Sequence, residues 1–182
     1  KHGRLGKAFR RMIEARPGHV LIQLDFKGFH ALMLGFEAGD RDYMRLSQLG
    51  IHDYLVSHII KEPADLSQPD DALRERFAWL KKQYYDVREN RAKKIVHGYG
   101  FGLTPIGAWK RYQDSFDSMK QIRWIFSLMD DLFPKAAQWR QDIREQAHRQ
   151  SWLLSRHECI RYFFDVYHLD PKSGRVVYGD DS

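Results

Sequence analysis

One cysteine, Cys159, is all the chain has, so it builds no internal disulfide framework and suits a reducing, cytoplasmic setting. No apolar run reaches the roughly 18 residues of a membrane span, which argues against a membrane partner. The opening Lys1-His2-Gly3-Arg4-Leu5-Gly6-Lys7 carries charge but no apolar stretch behind it, unlike a secretory leader. An initiator Met is also missing, and the expectation is an excised or incomplete chain. Repeats at a solenoid period and low-complexity tracts are absent, which sets aside repeat and linker architectures.

What is present favours a folded domain. The 182 residues are 43% hydrophobic and 14% aromatic, richer in both than a disordered chain and enough for a real core. Thirty Lys and Arg against 24 Asp and Glu give a formal charge of +6. That excess is compatible with a polyanionic partner and equally with a solvated surface. Arg4, Lys7, Arg10, Arg11 and Arg16 form the densest basic stretch.

Residues 19–26, His-Val-Leu-Ile-Gln-Leu-Asp-Phe after the turn signal Pro17-Gly18, are predicted to be a buried strand. A short buried helix follows over 29–36, closed by Gly39, with further helices over 40–46 and 51–60. Residues 62–71, with Pro63 and Pro69, read as a surface loop. One or two long helices fill 73–100. Thr104-Pro105 starts another, a cap residue followed by Pro where the missing N–H costs nothing. Helices are predicted over 115–132 and 134–150. Strand-like runs then occupy 152–154, 160–166 and 175–178, the last two joined by a turn at 170–174. The order strand, many helices, strands predicts an α+β class, predominantly helical, with a helical insertion projecting from a sheet.

Two segments carry chemistry. Lys93, His97 and Phe101 are spaced i, i+4, i+8, one stripe on a helix. An ammonium suits a phosphate and a ring suits a base, so the stripe suits a nucleotide. Gly98, Gly100 and Gly102 are expected to leave that helix's end loose and easily broken. Asp25 ends the predicted strand, as a hard-oxygen Mg²⁺ ligand at a cleft does. Taken singly, the stripe is equally a surface helix with two partly buried rings, and Asp25 a cap for the next helix.

Together these segments resemble family A (polymerase I-type) DNA polymerases. Asp25 matches the strand-terminal Asp of that family's motif A, and Lys93, Gly98 and Phe101-Gly102 match its nucleotide-gripping motif B. Gly50-Ile51-His52 resembles the family's Asp-Ile-His segment, and residues 3–9 resemble its Arg-rich lead-in. The register runs from residue 3 to about 165. The resemblance implies a partial palm with motif A at 1–39, a fingers-like helical region with motif B at 40–150, and return strands toward the palm at 151–182. It implies template-directed DNA synthesis on a primer-template from dNTP, with two Mg²⁺ ions completed by the remainder of the polypeptide. Asp25 and the main-chain carbonyl of Phe26 would hold metal. Lys93, His52 and Arg88 would neutralise the triphosphate, His97 would stack on the nucleotide, and Phe101 would sit by the templating base.

The departures from the family define further expectations. His30 stands where motif A usually has the Glu that crowds the sugar 2′ position, Gly28 replaces a Gln, and His97 replaces Phe or Tyr. Glu89 stands four before Lys93, where the family has Arg; a one-residue π-bulge would bring Arg88 round instead. The family's second catalytic Asp, in a His-Asp-Glu triplet, has no match, and neither His157-Glu158 nor Asp180-Asp181 replaces it. A divergent, phage-like branch that ends before motif C is the expectation, and the fragment alone is expected to be inactive. A single-subunit RNA polymerase and a non-catalytic nucleic-acid-binding module are the alternatives.

Overall fold

A computed structural model describes residues 12, 14–22, 24, 26, 28–155, 158–163, 168–169 and 176–177. Helices dominate them. They are α1 (Phe29–Glu37), α2 (Arg41–Leu49), α3 (Ile51–Ile59), α4 (Asp70–Gln83), a short α5 (Tyr85–Val87), a π turn (Arg88–Ala92), α6 (Lys93–Gly100), α7 (Pro105–Tyr112), α8 (Met119–Leu132) and α9 (Pro134–Gln150). A 3₁₀ turn (Gln113–Ser115) leads from α7 toward α8. Two small antiparallel pairs follow. β1 (Trp152–Leu154) pairs with β2 (Ile160–Tyr162) in the register Trp152 to Tyr162, and β3 (His168–Leu169) pairs with β4 (Val176–Val177). The α+β expectation holds at that coarse level. None of the described helices is long and apolar enough to cross a membrane.

Local chemistry sets the helix starts. Asp40 accepts the Tyr43 N–H at 3.0 Å, Thr104 accepts the Gly107 N–H at 3.1 Å, and Ser118 accepts the Gln121 N–H at 3.2 Å. Each satisfies one of the N–H groups a helix leaves unpaired. Pro105 and Pro134 occupy first helical positions. Apolar residues at helical spacing then build one core. Leu73, Phe77 and Leu80 of α4 and Ile122, Ile125 and Met129 of α8 are buried in it, each set repeating at three- and four-residue intervals. Phe133, between α8 and α9, is 1% exposed and meets the ring of Tyr43 edge-on at 4.7 Å.

The predicted strand over 19–26 is the main correction. Its described residues form no strand, and Val20, Leu21, Ile22, Leu24 and Phe26 are all exposed, Leu24 at 84%. An apolar, β-branched run favours extended backbone, but a strand also needs a neighbour to bond. Among the described residues the strands pair only as β1 with β2 and β3 with β4. Asp25 lies outside the described residues, as do Arg4, Lys7, Arg10, Arg11, His157, Asp180, Asp181 and the predicted turn at 170–174. β2 ends at Tyr162, short of the predicted 166, with 164–167 outside the description.

Gly28 precedes α1 with φ +71, and a Cβ there would lie 2.7 Å from the Ser47 carbonyl oxygen. This gives a steric reason for glycine where the resembling family has Gln. Gly28→Ala is expected to destabilise the fold by roughly 2–4 kcal/mol, the left-handed conformation and the overpacking each contributing about 1–2. The urea midpoints of the two proteins measure it.

Candidate functional site

The site grows from the start of α3 and the π turn. Gly50 precedes α3, whose first turn carries His52 and Asp53. Asp53 is buried. Its Oδ1 accepts the Nε–H of Arg88 at 2.7 Å across 35 residues of chain. A π turn holds one residue more than an α turn, and here it spans Arg88–Ala92. A π turn of the kind that would bring Arg88 round is therefore present.

Arg88 also donates from Nη1 to Glu89 Oε1, and Glu89 Oε2 accepts Lys93 Nζ at 2.9 Å. Asp53, Arg88, Glu89 and Lys93 thus form one chain of alternating charge. Hydrogen bonding from Lys93 holds the Glu89 carboxyl below the usual carboxylate range. Burial pushes the Asp53 carboxyl above its usual value, more than Arg88 beside it pulls it down. His52 is half-buried next to this chain. Burial first, then the charges of Arg88, His97 and Lys93, push its imidazole down to about 4. His52 is therefore neutral at pH 7, not the cation a phosphate contact would use most simply.

Rings gather at the other end of the same helix. The centroids of His30 (α1) and His97 (α6) are 5.9 Å apart, those of His30 and Phe101 5.1 Å, and those of His97 and Phe101 6.1 Å. All three contacts are edge-on, and all three side chains are exposed. Phe29 continues the row, 6.3 Å from His30 and 5.7 Å from Phe26. His97 is where the two halves meet, ringed by His30 and Phe101 and close enough to His52 to bias its titration.

The structure thus brings together His30, His52, Arg88, Lys93, His97 and Phe101. Asp25, the predicted catalytic and metal-ligating residue, lies outside the described residues. The carbonyl of Phe26, predicted to face a metal, accepts the Phe29 N–H at 3.4 Å. Among the described residues no three His, Cys, Asp or Glu side chains are grouped to hold a metal.

The end of α6 corrects another expectation. Leu103 N–H bonds the Gly98 carbonyl at 2.8 Å and Gly102 N–H bonds the Tyr99 carbonyl at 3.2 Å, with Gly102 at φ +77. This is a closed C-terminal cap rather than a loose end. The glycines read as breakers because the sequence does not say which carbonyls the following residues will bond. Tyr99 fastens the same helix from behind. Its hydroxyl donates to Asp130 Oδ1 at 2.6 Å, and the Arg140 guanidinium lies 3.6 Å from its ring centroid.

Asp53 and this Tyr99–Asp130–Arg140 anchor were missed in the sequence. A partner 35 residues away leaves no periodic trace, although an Asp directly after the matched His52 was a local hint. No family model matches the chain, and searches of curated proteins and of solved structures find no match either.

The depressed His52 titration makes a pH prediction. The fold favours neutral imidazole, so its contribution is complete above about pH 6.5, the ordinary histidine value, and is lost as pH falls toward 4. Allowing for partial exposure, the loss is about 1–2 kcal/mol. His52→Asn, which cannot titrate, is expected to lose that much less stability between pH 6.5 and 4 by urea unfolding. The His52 ring signals of the native chain are expected to titrate near pH 4 by NMR.

Proposed function

We propose that this chain is part of a template-directed nucleic-acid polymerase of the family A type, whose π-turn helix grips an incoming nucleoside triphosphate. One observation carries the reading. Residues from three separate segments, His30, His52 and the run from Arg88 to Phe101, share one surface with cations at one end and exposed rings at the other. A nucleotide has that same division, polyanionic at one end and flat and apolar at the other. The helical region with α6 would act as fingers, and the segment before α1 would belong to the palm.

In this reading Lys93 and Arg88 bind the phosphates as charge-assisted donors. Neutral His52 supplies a hydrogen bond, and gains a proton only if bound phosphate offsets the cations around it. His97 presents a ring to the base, with Phe101 next to it. The Tyr99 anchor ties α6 to α8 and α9, so closure on a correct pair would carry these helices together. Synthesis itself would require Asp25 and a second carboxylate. His30 bears on the alternative of a single-subunit RNA polymerase, because its exposed ring stands beside His97 with a polar edge that a ribose hydroxyl could meet. Competition between dNTP and rNTP in the full-length protein separates the two.

Each side chain should fail in its own way. Lys93→Ala is expected to weaken dNTP binding about tenfold to a hundredfold, the value of a charge-assisted phosphate contact. His97→Ala loses a stacking ring worth about 1–3 kcal/mol, and His97→Phe keeps or improves binding. Calorimetric nucleotide affinity and thermal unfolding are measured on the same variants. Lower stability with unchanged affinity would make the stripe purely structural and overturn the reading.

Asp25→Asn in the full-length protein is expected to abolish metal-dependent primer extension while leaving primer-template binding nearly intact. Extension at the native rate would remove Asp25 from the chemistry.

A further inference from the structure

The two cations assigned to phosphate in the proposed function are not idle in the free chain. Glu89 occupies both, one oxygen on Arg88 and the other on Lys93. Two oxygens spread between a guanidinium and an ammonium is also how a phosphate group would be held there. The second carboxylate on Arg88, Asp53, is placed differently. Its side chain is 7% exposed and sits behind the guanidinium, whereas Glu89 is 27% exposed and Lys93 47%. Asp53 is an inner anchor with nowhere to go, and Glu89 is at the rim with water beside it.

The charges reinforce this difference. Asp53, Arg88, Glu89 and Lys93 sum to zero, so the closed chain offers a polyanion little field. Moving Glu89 into water leaves Arg88 still oriented by Asp53 and leaves Lys93 without its carboxylate. The local charge seen by an incoming anion then rises by one unit. The helix itself supplies the geometry, because Glu89 and Lys93 are four residues apart, the spacing at which side chains on one helical face meet.

We propose that Glu89 is a carboxylate latch, an internal substitute for phosphate that closes the Arg88–Lys93 site and is displaced when a nucleoside triphosphate binds. The inference rests on the nucleotide reading above and adds regulation of that same site. The latch raises the threshold for weak or singly charged anions, because a ligand must replace both of Glu89's contacts to open it. A polyphosphate brings several negative charges against Glu89's single one and displaces it readily, whereas a lone phosphate brings fewer and competes less well. Glu89 therefore acts as a specificity residue for the charge of the ligand, not as a ligand-binding group.

The test is calorimetric titration of the full-length protein with inorganic tripolyphosphate, dTTP and inorganic phosphate. Glu89→Gln keeps the side chain's size and removes its charge. It is expected to bind tripolyphosphate and dTTP about tenfold more tightly than the native chain, the lower end for one charge-assisted contact released. Its gain for inorganic phosphate should be larger still, narrowing the discrimination. Glu89→Asp, too short to bridge both cations, is expected to show a smaller gain and protects the test if the Gln variant folds poorly. Combining Glu89→Gln with Lys93→Ala should erase most of the gain. Native binding of dTTP with no gain in either Glu89 variant would overturn the latch and leave the nucleotide reading standing. Weaker binding by Glu89→Gln would also overturn it, by making Glu89 a positive contributor. Absence of dTTP and tripolyphosphate binding by every variant would overturn both.

Discussion

The bond from Arg88 to Asp53 is the constraint on which the rest of the site depends. It crosses from the π turn to the first turn of α3, and both side chains are largely removed from water. A buried pair of this kind adds little net stability compared with an apolar pair, but losing one member leaves a charge stranded and costs about 3–5 kcal/mol. Its value is positional. With Arg88 fixed, Glu89 lies between two cations, Lys93 faces the same side, and His52 is drawn into a crowded, cationic corner where it stays neutral.

The ring end of the helix is organised by a different force. His30, His97 and Phe101 contact one another edge-on but bury little of themselves. Exposed rings grouped in this way are what the proposed stacking on a base would use. Behind the helix the opposite holds. Ile95, Val96 and Tyr99 are buried, and Tyr99 is clasped between Asp130 and Arg140. One face of α6 is thus fixed to the core, and the opposite face carries the exposed Lys93 and His97.

Much of this was legible in the sequence, and the reasons for success and failure are physical. Thr104-Pro105 and Pro134 marked helix starts because capping is a local affair of three or four residues. The stripe of Lys93, His97 and Phe101 was legible because a helix turns regular spacing into a common face. The segment 19–26 was misread because an apolar, β-branched run reports what the backbone prefers, and not whether another strand is there to bond it. Asp53 was invisible because ion pairs across 35 residues obey no period. The closed end of α6 was hidden for a similar reason: Gly102 reads the same whether it breaks a helix or caps one.

The π turn has a consequence for heredity. A helix that gains one residue normally rotates everything beyond the insertion by about 100°, which would scatter a functional stripe around its circumference. Confining the extra residue to one wide turn leaves Lys93, His97 and Phe101 in phase with the core while Arg88, upstream, keeps its own hold on α3. A single added codon can therefore be absorbed here without rephasing either end, and the acid beside Arg88 becomes available for a new task.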